Sequence, residues 1–498
     1  MTGLRLPEAD ERVLARREEI VADLRAIVPG EGVIAGAREM RPYESDALTA
    51  YRQLPLVVVL PSTTAQVAAV LKYCHDNEIR VVPRGAGTSL SGGALPLEDA
   101  VLLGMGKFNA ILEVDYANRC AVVQPGVTNL GITRAVEADG FYYAPDPSSQ
   151  IACTIGGNVG ENSGGVHCLK YGLTTNNVLG VELVLITGEI VRLGGKHLDA
   201  GGLDLLSVVI GSEGLLGVVT EVTVRLLKKP DTARALLVGF PTSEDAGDCV
   251  ARIIGSGIIP AGIEMMDKDA IAAAEAFVNV GYPLDVEALL IVELDGPEAE
   301  CAHLLGEVEA IARDCRASTL RVSTSEEERL GFWAGRKAAF PAVGRLSPDY
   351  LCMDGTIPRK ELPLVLARMR EMSARYRLRV ANVFHAGDGN LHPLILYDAN
   401  QPGELDAAES FGADILRLCV EVGGVLTGEH GVGIEKRDLM PVMFNEVDLA
   451  QQQRLKCAFD DKGLLNPGKV FPTLHRCAEF GRMHVSGGAL PFPDLPRF

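Results

Sequence analysis

An α+β protein of two or three domains is the fold class this sequence predicts, and three observations carry it. The chain has 498 residues, more than one ordinary hydrophobic core organises. An apolar fraction of 47%, with 54 Gly and 27 Pro, marks a large, loop-rich globular protein and gives no sign of disorder. The pattern also changes along the chain. Short β-like runs alternate with Gly-rich turns up to about residue 228, and beyond it helices alternate with strands.

In chain order, Leu56 to Leu60 reads as a buried strand, and Ser62-Thr63-Thr64 caps a helix running toward His75. Arg80-Val81-Val82-Pro83 is a strand that feeds a glycine loop. Val101 to Met105, Cys120 to Gln124, Val181 to Ile186 and Val218 to Leu226 are further strand candidates, and Lys228-Lys229-Pro230 reads as a boundary. Beyond it, a helix over Pro363 to Tyr376 and strands over Ala288 to Glu293 and Arg379 to Phe384 suit helices packed on an antiparallel sheet. A helix around Asp448 to Phe459 and a tail with Asn466-Pro467-Gly468-Lys469 close the chain. The expected organisation is residues 1–228, 229–427 and 428–498, with no internal repeat.

The balance of 47 basic and 66 acidic residues, net -19, argues against nucleic acid and against unaided binding to anionic lipid. Any anionic substrate must meet a local island of positive charge. The segment from Met1 to Leu24 mixes Arg, Glu and Asp at helical spacing, without the apolar core of a signal peptide. The most apolar stretch, Leu54 to Leu60, is far short of the roughly 20 residues of a membrane span. The eleven cysteines lack any C-x-x-C pair, which excludes a zinc ribbon or an iron–sulfur motif and suits a reducing, cytoplasmic compartment.

Three glycine loops stand in the first part. The series Pro83-Arg84-Gly85-Ala86-Gly87-Thr88-Ser89-Leu90-Ser91-Gly92-Gly93 lets consecutive backbone N–H groups surround phosphate oxygens. Taken alone it is equally a tight turn. Leu90 stands where a Rossmann fingerprint needs its third glycine, and no P-loop occurs. Pro145-Asp146-Pro147-Ser148-Ser149 is followed by Gly156-Gly157-Asn158-Val159-Gly160-Glu161-Asn162-Ser163-Gly164-Gly165. The third loop, Gly211 to Val219, leads into a strand. Three such loops are costly in folding entropy unless a ligand organises them.

The second constellation is polar. His385-Ala386-Gly387-Asp388-Gly389-Asn390-Leu391-His392 carries two His across a Gly-x-Gly turn, either structural or pointing inward at a divalent metal. Thr427-Gly428-Glu429-His430-Gly431 presents a carboxylate beside an imidazole on another Gly-rich turn. Together they offer His385, His392 and Glu429 as ligands and His430 as a free base, with Zn, Mn or Fe all acceptable. Asn390 is a substrate or ligand-orienting contact, Asp388 a turn former or acceptor, and Asp354 and Asn466 structural. Phe332-Trp333-Ala334-Gly335-Arg336-Lys337 reads as a helix ending at Pro341, with Arg336 either solvent-facing or gripping a carboxylate.

The glycine loops resemble those of the vanillyl-alcohol-oxidase-like FAD-binding domain. Nearly the whole chain resembles the family that holds the FAD subunits of bacterial glycolate oxidase (glycolate dehydrogenase) with D-lactate and D-2-hydroxyglutarate dehydrogenases. The resemblance implies a FAD-binding domain, an α+β substrate (cap) domain with an antiparallel sheet, and a C-terminal helical segment. It makes cofactor contacts of Pro83, Arg84, Gly85, Ala86, Gly87, Thr88, Ser89 and Ser91, and of Pro145, Asp146, Ser148 and Ser149. Gly156, Gly157, Asn158, Gly160, Asn162, Gly164 and Gly165 join them, as do Glu213, Gly214, Gly217 and Val219. Some relatives attach flavin through a His in the first loop. None stands between Pro83 and Gly93, so FAD is expected to be noncovalent, and His167 structural.

The same resemblance implies one divalent metal on His385, His392 and Glu429, His430 as the catalytic residue, and Arg336 on the substrate carboxylate. Relatives acting on dicarboxylates carry a lysine where Cys352 stands, which implies a monocarboxylate here. The implied reaction is FAD-dependent oxidation of glycolate, and of D-lactate, to the 2-oxo acid. Hydride passes to flavin, and electrons leave to a non-O2 acceptor. The implied partners are a second flavin-domain subunit and an iron–sulfur subunit, with peripheral attachment at the inner membrane. Two alternatives stay open: another D-2-hydroxy acid such as D-2-hydroxyglutarate, and a flavin-independent metal hydrolase.

Overall fold

A computed structural model describes residues 6–197 and 201–472. Residues 473–498 of the expected C-terminal segment, and residues 1–5, lie outside the described residues. The first sheet grows from runs too apolar to alternate. Strands Val57–Val59 and Arg80–Arg84 lie parallel to Ala100–Gly104 between them, and Val33–Ile34 adds an antiparallel edge. Val57, Val58 and Val59 are all fully buried, as a sheet covered on both faces requires. Thr63 caps the crossover helix Thr64–Asp76 by accepting from the Gln66 N–H at 3.2 Å. That helix packs Val67, Val70, Leu71 and Cys74 against the sheet. A second sheet of five antiparallel strands has the order Ile111–Asp115, Cys120–Val123, Val218–Arg225, Val178–Val184, Ile190–Gly194.

The third sheet begins at Thr232. Its seven strands run in the order Thr319–Val322, Thr232–Phe240, Ala288–Gly296, Gly262–Asp267, Val380–Phe384, Pro393–Tyr397, Asp349–Cys352. Helices cover both faces. Leu290, Val292 and Leu294 join one core with helices Ser243–Gly255, Leu362–Tyr376 and Glu404–Glu421. Leu289 and Ile291 join another, with helices Lys268–Val278 and Glu326–Val343. Two buried faces account for the unbroken apolar run Ala288 to Val292, where a half-solvated antiparallel strand would alternate.

Two local expectations change. The second glycine segment is not a loop throughout: Ile155–Glu161 is a helix, ended by Asn162 at φ 53°. Glycine serves there for close approach, since a Cβ on Gly156 would lie 2.6 Å from the Pro125 side chain. Helix Glu326–Val343 continues two residues past Pro341. A proline in the last turn forfeits one backbone bond, and the burial of Ala342 and Val343 holds the turn. The C-terminal segment returns to the first sheet, with Val81 donating to the Leu464 carbonyl at 2.9 Å and Asn466 to the Val81 carbonyl at 2.7 Å.

Candidate active site

The glycine loops and the polar turns meet in one cavity of about 510 Å³, a size usual for ligand pockets. Pro83, Arg84, Gly85, Ala86, Gly87, Thr88 and Ser89 line it, with Ser148, Ser149, Gly156, Gly157, Asn158 and Gly160. Glu213, Gly214, Gly217 and Val219 complete that end, and Lys337, Phe340, Pro341, Tyr350, His392, Glu429 and His430 form the other. The first loop approaches the helix so closely that a Cβ on Gly85 would lie 2.7 Å from Thr154 Oγ1.

Six residues expected at the cofactor are not on this wall, and each has contacts elsewhere. Ser91 is wholly buried, and its carbonyl accepts from Ile434 and Glu435 at 2.9 and 3.1 Å. The Pro145 carbonyl accepts from Asn129 Nδ2 at 3.0 Å. Asp146 takes the backbone N–H and Nδ1 of His167, at 3.1 and 2.8 Å. Asn162 accepts from the Thr175 N–H at 2.9 Å. Gly164 lies against Glu429, its Cβ position 2.6 Å from Oε2, and Gly165 lies against the Asp146 backbone. Glu213, on the wall as expected, also accepts with its carboxylate from the Val432 and Gly433 N–H groups, both at 2.7 Å. It ties the third loop to the Glu429–His430 turn.

The two histidines stand on one hairpin. The His385 N–H donates to the Asn390 carbonyl at 3.0 Å, and Gly389 turns the chain at φ 77°. Nε2 of His385 and Nε2 of His392 lie 3.2 and 3.0 Å from the same Glu429 oxygen. All three ligand atoms fall within 4.8 Å of one another, among fully or mostly buried groups, so the donor set fits a divalent cation. Burial opposes the Glu429 charge, but the two imidazoles outweigh it and hold its carboxyl well below the ordinary range. Burial likewise opposes charge on His385, and the carboxylates of Glu264 and Glu429 outweigh it and push its pKa well up. Cys352, His392 and His430 form a second close triple. Burial pushes the Cys352 thiol far up, which makes it the poorer ligand.

The turn carrying Glu429 and His430 hangs from Asp354. That carboxylate's Oδ2 accepts from the N–H groups of Gly428, Glu429 and His430 at 3.0, 3.2 and 2.9 Å, and from Thr427 Oγ1. Burial opposes its charge, but His430, Lys436 and His392 outweigh it and bring its pKa down to about 2. His430 stacks on His392 at 4.8 Å and 10°, and its Nδ1 is buried with no hydrogen-bond partner. Burial, with His392 and Lys436, outweighs Asp354 and holds its pKa down at about 4. His430 is therefore a neutral imidazole at neutral pH.

Arg336 and Asn390 are not on the cavity wall. Arg336 is 1% exposed, which removes the solvent-facing reading, and its Nε donates to Glu264 Oε2 at 2.7 Å. It lies one helical turn before Phe340, which does line the cavity. Asn390 packs behind Gly428, where a Cβ would lie 2.6 Å from its amide nitrogen. The sequence reading missed Glu264 and Lys436. Glu264 was detectable as a lone acid in the apolar run Ile263 to Met266. Lys337 lines the cavity with an exposed side chain, yet nothing in the sequence distinguished it from Arg336.

Residues 55–194 match the family described as FAD binding domain, and residues 229–470 the family described as FAD linked oxidases, C-terminal domain. The chain belongs to these FAD-linked oxidases: it is a flavoprotein oxidoreductase, and the flavin-free hydrolase reading falls away. Among its relatives is glycolate oxidase subunit GlcD of Escherichia coli (strain K12), 56% identical over 99% of this chain and 98% of that one. D-lactate dehydrogenase of Anaerostipes hadrus is 31% identical over 91% of this chain and 97% of that one. The solved structure of p-cresol methylhydroxylase shares the fold, with TM-score 0.78 at 18% identity, covering 93% of this chain and 97% of that chain. The expected family and the α+β class with a flavin-binding half both stand. No helix among the described residues is long and apolar enough to cross a membrane.

Proposed function

We propose that the chain oxidises glycolate, with D-lactate as a second substrate, to the 2-oxo acid by a metal-assisted, FAD-dependent reaction. One observation carries the reading: His385, His392 and Glu429 converge beside the ring of His430, whose Nδ1 has no hydrogen-bond partner, at the end of a cavity whose other end is lined by glycine. Bound FAD supplies the hydride acceptor, and a divalent cation on the three ligands supplies the positive charge that acidifies a hydroxyl. The chain's own part is alignment and proton handling. His430, neutral and unpartnered, accepts the hydroxyl proton at Nδ1. Arg336, buried one helical turn behind Phe340 of the cavity wall and ion-paired with Glu264, supplies the positive charge for the substrate carboxylate. Phe340, Pro341 and Tyr350 keep that end of the cavity apolar and exclude water from the reacting carbon.

Cys352 favours a monocarboxylate over a dicarboxylate such as D-2-hydroxyglutarate, because a buried neutral thiol offers no second carboxylate a counter-charge. A relative named as a subunit supports assembly with other chains, and the partners inferred for onward electron transfer are a second flavin-domain subunit and an iron–sulfur subunit at the inner-membrane surface. Anaerobic mixing of the purified protein with a panel of 2-hydroxy acids tests the reading. Glycolate is expected to bleach the flavin fastest, and a chelator to stop bleaching while leaving the oxidised flavin spectrum intact. Bleaching at full rate by metal-free protein would overturn the metal's part, and no bleaching by any 2-hydroxy acid would overturn the substrate class.

A further inference from the structure

Glu264 sits inside strand Gly262–Asp267, 1% exposed, with Ile263, Met265 and Met266 beside it in the chain. An ionised carboxylate in such a place is costly unless its oxygens are paired. Its two oxygens go to two different parts of the site. Oε1 accepts from His385 Nδ1 at 2.6 Å, and Oε2 accepts from Arg336 Nε at 2.7 Å. With Glu264 taking the Nδ1 proton, Nε2 of His385, 3.2 Å from Glu429, is the ring nitrogen that would turn a lone pair to a cation shared with Glu429. A guanidinium gripped at Nε is fixed in rotation. Its Nη2 lies 2.7 Å from the same oxygen as an ion pair, without an aligned hydrogen bond, so Glu264 holds the guanidinium at two nitrogens.

We propose that Glu264 is a shared positioning residue. One carboxylate sets the tautomer of His385 for the cation and the orientation of Arg336 for the substrate carboxylate. Loss of Glu264 therefore weakens both at once. The proposal rests on the reading of His385 as a ligand and Arg336 as the clamp. A carboxylate that merely neutralised Arg336 would affect only the substrate, so metal affinity separates the two roles.

The test uses the full chain loaded with FAD, stripped of metal and titrated with Co2+, which reports ligation through its visible absorption. Glu264→Gln keeps size and shape, and flavin content and thermal melting confirm its fold. Its single acceptor oxygen cannot serve His385 and Arg336 together. Co2+ affinity is expected to fall roughly 10- to 100-fold, as when a ligand's orienting partner is lost. KM for the best 2-hydroxy acid of the panel is expected to rise about tenfold. In the Glu264→Gln, Arg336→Met double variant, KM is expected to rise no further than with Arg336→Met alone. If Glu264→Gln does not fold, Glu264→Asp, too short to reach both partners, is read in the same way. Unchanged Co2+ affinity, or unchanged KM, overturns the proposal and leaves the metal reading standing. Wild-type protein that takes up no Co2+ overturns both.

Discussion

Glu429 and His430 are neighbours in sequence, and the proposed reaction gives them opposite tasks. Asp354 holds the backbone N–H groups of both, so the turn cannot rotate to exchange them. The Glu429 carboxylate faces His385 and His392, while His430 keeps an unpartnered Nδ1. His430→Asn is therefore expected to retain FAD and metal and to lose about 10²–10⁴-fold in anaerobic flavin reduction, the range for a lost general base. Glu429→Gln is expected to lose metal first, with excess metal restoring part of the rate. Metal content and single-turnover reduction, measured on both variants, decide the matter. Loss of metal by His430→Asn with retention by Glu429→Gln would reverse the roles.

At the scale of elements, the hairpin that carries His385 and His392 depends on one residue without a side chain. Gly389 has φ 77°, and a Cβ there would strike the Ile357 carbonyl oxygen. Left-handed strain of this kind is worth about 1–3 kcal/mol. Gly389→Ala is expected to lower the melting temperature, and to weaken metal binding more than flavin binding, because the hairpin lies away from the glycine loops. Metal affinity equal to wild type would show that the hairpin tolerates the shift. Helix Ile155–Glu161 follows the same logic for the flavin end: Gly156, Gly157 and Gly160 let its backbone line the cavity.

Across the whole molecule, the flavin-binding half and the third sheet are clasped by His167. Its Nδ1 donates to Asp146 at 2.8 Å, and Nε2 reaches Glu293 at 3.3 Å. Glu293 also accepts from Arg329 at 2.7 Å and from Trp333 Nε1. Burial opposes the His167 charge, but Asp146 and Glu293 outweigh it and raise its pKa well above 6.5. A histidine raised in the folded state stabilises fully below 6.5 and loses that contribution as pH rises through its folded value. His167→Gln is expected to cost about 1–3 kcal/mol near pH 6, and less at alkaline pH. Denaturant titrations of both proteins at the two pH values check it, and a gap that widens with pH would contradict the sign. The flavin itself should leave with denaturation, since no histidine lies in the first loop. Acid precipitation is expected to release all of it to the supernatant, and coloured pellets would show a covalent bond.

The linear chain determined what short-range chemistry decides. Apolar runs such as Val57 to Val59, the Thr63 cap, the glycine series after Pro83 and the two histidines flanking Gly389 each declare themselves within a few residues. From them the α+β class and the flavin-binding domain were legible, and so were the histidines that the fold brings beside Glu429. Tertiary structure decided which of these groups are free. Asp146 and Ser91 lie among glycine-loop residues, yet partners distant in sequence occupy them: His167 for one, Ile434 and Glu435 for the other. Glu264 reads locally as a stray acid in a buried strand, and gains meaning only because folding brings Arg336 and His385 to its two oxygens. Local pattern specifies backbone conformation and side-chain face. Occupancy of a hydrogen-bonding group depends on what packs against it, and residues 72 and 121 positions away along the chain leave no local trace of that.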